Sequence, residues 1–181
     1  MARHPDKNRY ALAVGHVAIE WNYLEHDLQQ LGYHYLTVDA DVAAHIFAFM
    51  GNVTKVEFIG YLVEKFETND AVKPHIHKFL KIYNRLRGNR NVVEHGVPAI
   101  TETGVYLDKI IKIDRRGDAM PFAASQETLN LFLKDLQRAR EYAKAIHDIL
   151  QSKQKAAKAN ALKKPSLPKR LNSLPFRSIE N

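Results

Sequence analysis

Val17, Trp21, Leu24, Leu28, Leu31 and Tyr35 follow one another at spacings of 4, 3, 4, 3 and 4, which lays them along one face of a helix. Gly32 falls inside that stretch and is tolerated there at about 1 kcal/mol relative to alanine. Asp39 or Asp41 is placed to cap a second helix through Ile46, Phe47, Phe49 and Met50. A break follows near Gly51 and Asn52. Thr54 then opens a helix through Phe58, Tyr61, Leu62 and Phe66. The stretch "ETNDAVKP" reads as a connecting loop. Beyond it Phe79, Ile82, Leu86 and Val93 form another helical stripe, with Asn89 in the same row, and Gly96 with Pro98 ends it.

The pattern then changes period. "VYLDKIIKI", residues 105–113, is β-branched and partly alternating, and "DRRGD" supplies a turn before "AMPF". A short β-hairpin over about 104–123 is therefore expected inside a helical fold. Ser125, with Glu127 and Thr128, begins a long last helix whose row is Leu129, Phe132, Leu136, Ala143, Ile146 and Leu150. The predicted architecture is all-α, an up-down bundle of four to five helices carrying the hairpin.

Charge divides the chain in two. Of 27 Lys and Arg and 20 Asp and Glu, residues 1–152 hold 19 of each, so the whole net charge of +7 sits in residues 153–181. The expectation is a balanced helical domain over 1–152 and a basic, flexible arm over 153–181. Three prolines in "KKPSLPKRLNSLPFRSIEN" keep that arm from continuing a helix. Lys163, Lys164, Lys169, Arg170 and Arg177 suit phosphate contact by counterion release. The interleaved Leu162, Leu167, Leu171, Leu174 and Phe176 equally suit docking on an acidic protein partner. No apolar run reaches the ~18 residues that span a bilayer, and the polar start "MARHPDKNRY" lacks a signal peptide's apolar core. With Cys absent there is neither a disulfide framework nor a cysteine nucleophile, and a cytoplasmic protein is expected.

Candidate chemistry gathers in "RGNRNVVEHG", residues 87–96. Arg87, Asn91 and His95 recur every four residues and share a helical stripe, with Arg90 about 100° round the axis from Asn91. Histidine exchanges protons near neutral pH, an arginine fork stabilises a phosphorane-like transition state, and the amide orients either. One histidine per chain suffices for a base or an acid but not both, and a two-fold dimer would supply the second. The structural alternative is plain capping: cations and imidazoles favour a helix C-terminus, where "HG" is a common stop.

"RNVVEH", Arg90 to His95, resembles the R-x-x-x-x-H motif of the HEPN superfamily. The surroundings are similar over roughly residues 10–150: "EWNYLEHDL" in a first helix, a motif helix ending "EHG", a strand insertion, and a last helix opening "SQETL". The resemblance implies a helical homodimer whose motif helices face each other, and a metal-independent endoribonuclease of toxin–antitoxin or phage-defence systems. It assigns charge stabilisation to Arg90, orientation to Asn91 and acid or base duty to His95. Arg87, Lys163, Lys164, Lys169 and Arg170 would bind RNA, and an antitoxin or other acidic protein would meet the tail. The alternative within the same fold is a non-catalytic dimerisation or binding module. In toxins silenced by nucleotidyltransferase partners a tyrosine lies two positions past the histidine; here that residue is Val97. Glu94 and Gly88 lie outside the motif. Glu25 is placed either to pair with Arg90 or to stand in solvent. His75 and His77 alternate in "HIH" without a ligand pattern around them, so neither a metal nor another cofactor is expected.

Overall fold

The structure, a computed structural model, describes residues 5–100 and 106–173. Its elements run α1 (Pro5–Tyr33), α2 (Ala40–Ala48), α3 (Asn52–Phe66), α4 (Lys73–His95), β1 (Val97–Ile100), β2 (Tyr106–Ile113), β3 (Ala119–Ala123), α5 (Gln126–Leu150) and α6 (Lys155–Ala161). The fold is thus mostly helical with a small antiparallel sheet. No helix among the described residues is long and apolar enough to cross a membrane. Two compact units share the chain: one holds residues 1–21, 85–136 and 168–181, the other 22–84 and 137–167. Helices α1, α4 and α5 contribute residues to both.

The rows that predicted α1, α4 and α5 are the rows that the core takes up. Val17, Trp21, Leu24, Leu28 and Leu31 are buried, as are Phe79, Ile82, Leu86, Val93, Leu129, Phe132, Leu136 and Ile146. Ser125 caps α5 as its sequence suggests, its Oγ accepting from the Thr128 amide at 3.1 Å. Asp39 stands at the N-cap position of α2, but its side chain makes no capping hydrogen bond.

In the second unit, α3 buries a different face from the aromatic row. Val56, Ile59, Leu62 and Val63 go inward, while Tyr61 and Phe66 are exposed and share the ammonium of Lys65 at 5.5 and 5.6 Å. A cation over each ring covers apolar surface that packing leaves in water. Glu25 neither meets Arg90 nor stands in solvent: it takes the buried Lys55 ammonium at 2.6 Å. Gly32 is required where it is, because a Cβ there would lie 2.2 Å from the Phe47 ring.

In the first unit, the sheet has three strands rather than the two of a hairpin. β2 pairs with β3 from Lys109↔Ala123 to Ile113↔Ala119, around a turn in which Gly117 has φ 87° and Asp114 Oδ1 accepts from the Arg116 and Asp118 amides. β1 adds antiparallel on the other side of β2, with Val97 opposite Ile111. Pro98 reads as a helix stop but also fits this strand, because β1 is an edge and an edge residue can lack an amide hydrogen.

The tail departs most from expectation. Residues 155–161 form α6, whose Ala159 is buried, and residues 168–173 run extended against α4 and β3. The Asn89 amide clamps this segment from both sides: Nδ2 donates to the Lys169 carbonyl at 2.8 Å and Oδ1 accepts from the Leu171 amide at 3.0 Å. Arg85 donates to the Pro168 carbonyl, and the Ala123 amide donates to Asn172. Proline stops the helix, but it does not stop a strand-like segment from finding backbone partners. Leu174, Phe176 and Arg177, named above for the arm, lie outside the described residues, as does part of the predicted hairpin at 104–105.

Candidate functional site

The last turns of α4 carry the cluster. A cation-rich helix end is electrostatically favoured, because the final carbonyls present partial negative charge. The helix stops at His95 because the backbone must turn at Gly96 straight into β1. Gly96 is not a left-handed cap; Gly117 is the glycine of positive φ among the described residues. It is a matter of space: a Cβ at Gly96 would lie 2.0 Å from Ile110 Cγ2 and 2.5 Å from the Val92 carbonyl. Ile110 is fully buried, so the helix end is pressed onto β2 and the His95 position is fixed by the core beneath it.

Arg90 ties the motif together. Its Nη1 lies 3.4 Å from Asn91 Oδ1 and 3.4 Å from His95 Nε2. Arginine only donates, so in this contact Nε2 accepts and the imidazole proton sits on Nδ1. The guanidinium lies over the Trp21 ring at 5.8 Å, which fixes the plane of the fork. Nη2 is held by the carboxylate of Glu94, one turn on. Nε is enclosed and has no hydrogen-bond partner among the described residues, and the same is true of Arg87 Nη1. An enclosed donor left unsatisfied costs about 1–3 kcal/mol, so a rearrangement of either guanidinium that gave these atoms a partner would be favoured. His95 itself is exposed.

The predicted residues therefore separate into groups. Arg90, Asn91 and His95 are brought together. Arg87 shares their stripe, and no salt bridge to it is seen among the described residues. Lys169 and Arg170 are exposed, but their backbone is held on the Arg85–Asn89 stripe, about 160° round the helix from Arg87–Asn91–His95. Lys163 and Lys164 belong to the other unit, where Lys164 acts on His75. Compared with protein-family models, with curated proteins and with solved structures, the chain matches none.

Two residues escaped the sequence reading. Glu94 was set outside the motif, although its spacing from Arg90 is that of a helical ion pair. Asn89 lies in the same row as Phe79, Ile82, Leu86 and Val93, the polar residue among them. A buried amide needs partners, and that requirement was the available sign of a clamp.

The other histidines serve different ends. His77 pairs with Glu64 at 2.6 Å. His75 is buried and lies 2.8 Å from the Tyr142 hydroxyl, with a second hydrogen bond to the Ala159 carbonyl. That carbonyl can only accept, so the other ring nitrogen carries the proton and Nδ1 accepts from Tyr142. Burial and then Lys164 push the His75 pKa down, against the pull of Ala159. Burial pushes the Tyr142 hydroxyl up.

Proposed function

We propose that the chain is a metal-independent endoribonuclease of HEPN type, acting as a homodimer. The observation that carries this reading is the convergence of the Arg90 guanidinium, the Asn91 amide and an exposed His95 imidazole at the end of one helix. In the proposed reaction Arg90 leaves His95 Nε2 as its guanidinium turns to the phosphate, and that nitrogen takes the proton of a ribose 2′-hydroxyl as the 2′-oxygen bonds to phosphorus. The bond from phosphorus to the 5′-oxygen breaks, and that oxygen leaves with a proton from the second copy's His95 in its imidazolium form, which becomes neutral imidazole. Arg90 stabilises the added charge on the phosphoryl oxygens, and Asn91 orients the arginine through its carbonyl. Arg87 contributes a further donor to the RNA backbone. Lys163, Lys164, Lys169 and Arg170 draw RNA through diffuse positive charge, outside the Arg90–His95 cluster. Protein partners such as an antitoxin would meet the same tail, and a cytoplasmic toxin–antitoxin or defence role follows from the HEPN reading.

The test is His95→Ala in the full chain, assayed on single-stranded RNA with and without EDTA. Loss of cleavage in the variant, with wild-type cleavage unaffected by EDTA, supports the reading. Equal cleavage by the variant, or EDTA inhibition of the wild type, overturns it. A non-catalytic binding module of the same fold is the second reading, favoured by one observation: Glu94 already neutralises Arg90. It predicts RNA binding without cleavage at every pH.

A further inference from the structure

Arg90 carries four hydrogen-bonding commitments or vacancies, and they are unequal. Nη1 faces the motif's own Asn91 and His95, Nε is enclosed without a partner, and Nη2 alone meets an anion. That anion is the Glu94 carboxylate. We propose that Glu94 is an intramolecular stand-in for the substrate phosphate, occupying the edge of Arg90 that an RNA phosphodiester takes when it binds. The proposal rests on the nuclease reading above for the identity of the incoming anion.

Three observations support it. A carboxylate and a phosphate each pair with a guanidinium through charge-assisted N–H···O bonds, so the two compete for the same edge of Arg90. An i,i+4 ion pair on a helix biases its own formation only about twofold, so a phosphate that gains both Nη2 and further donors displaces it. Further donors lie close by: Arg87 Nη1 and Arg90 Nε, one turn apart on the same helix, are enclosed without a hydrogen-bond partner among the described residues, and a phosphate gains them only as those side chains turn outward. Glu94 is 17% exposed and Arg90 24%, so the pair is largely covered but reaches water at one edge, through which the carboxylate can turn out. While it is in place the pair has no net charge, and Glu94 repels any polyanion that approaches Arg90. Glu94 thus sets how strongly the site holds RNA, and acts through Arg90 as a positioning residue rather than on the reacting atoms.

The experiment is Glu94→Gln in the full-length chain, which keeps the size of the side chain and removes its charge. The probe is a fluorescent 2′-O-methyl single-stranded RNA, whose blocked 2′-oxygens prevent cleavage from confusing the readout. Binding is measured between about 50 and 200 mM salt. The variant should bind about 3- to 10-fold more tightly than wild type at the low end. The plot of log affinity against log salt should steepen by about 0.7, the increment for one more phosphate contact on a single strand. In an Arg90→Ala background the same change should move affinity by less than about twofold. Glu94→Ala, as a second way to remove the charge, should shift binding in the same direction. Affinity equal to or weaker than wild type in both variants, or a gain that survives Arg90→Ala, overturns the stand-in. If wild type cleaves RNA and the gain is absent, only the role of Glu94 falls. If no form binds RNA at any salt, the nuclease reading falls with it.

Discussion

His75 and His95 both lie on α4, one near each end, and they are held in opposite ways. His75 is buried, and each ring nitrogen has a partner, the Tyr142 hydroxyl on one side and the Ala159 carbonyl on the other. His95 is exposed, and its one hydrogen-bond contact among the described residues is a 3.4 Å approach from Arg90. A histidine whose hydrogen bonds are all made inside the fold is a structural part, since moving a proton there breaks the fold's own bonds. An exposed histidine held by one long contact can give that contact up and exchange protons with a ligand at little structural cost. The contrast fits scaffold duty for the first and the proposed chemistry for the second.

The largest test of that contrast is His75→Ala. The change orphans the Tyr142 hydroxyl and the Ala159 carbonyl and opens a cavity, so a loss of about 2–4 kcal/mol is expected. In a chain of this size that lowers the melting temperature by roughly 5–15 °C. A shift of only a degree or two would remove the distinction between the two histidines.

Acid should act next, through the scaffold side. Burial pushes down the pKa of His75, with Lys164 adding to it; burial also pushes down that of His34, with Lys155 and His147 adding and Glu67 opposing. The folded chain therefore binds these protons less readily than the unfolded one. The stabilisation is complete above the unfolded pKa of about 6.5 and is lost as pH falls from there through the lowered folded values. Melting curves between about pH 8 and pH 5 should show a decline beginning near 6.5 that is shallower in His75→Gln. An unchanged slope in that variant would detach His75 from the acid response.

The smallest effect is expected at the chemistry side. His95→Ala should change stability by less than about 0.5 kcal/mol, read as a melting temperature within ~2 °C of wild type. A large drop would mean that the ring is a packing element after all.

How much of this was legible follows from how local each feature is. The rows of α1, α4 and α5 are long and strongly periodic, and the cluster of Arg90, Asn91 and His95 follows from helix geometry within six residues. The features the sequence did not yield depend on distant partners. Whether residues 168–173 dock is decided by Asn89, some 80 positions earlier. Whether 97–100 is a strand is decided by β2, since four residues with a proline carry no period of their own. In α3 two stripes competed, and the aliphatic Val56–Ile59–Val63 face was buried in place of the aromatic one. Glu94 was visible at its i,i+4 spacing, but a motif defined by arginine and histidine gave no reason to weigh the carboxylate between them.

The measurement closest to the central claim is RNA cleavage by wild-type chains doped with His95→Ala chains, at constant total protein in EDTA. If each cutting site draws one imidazole from each of two copies, activity falls as the square of the wild-type fraction, to roughly a quarter at an equal mixture. A fall in simple proportion, to roughly half, would show that one chain cuts alone, and activity indifferent to the variant would remove His95 from the chemistry.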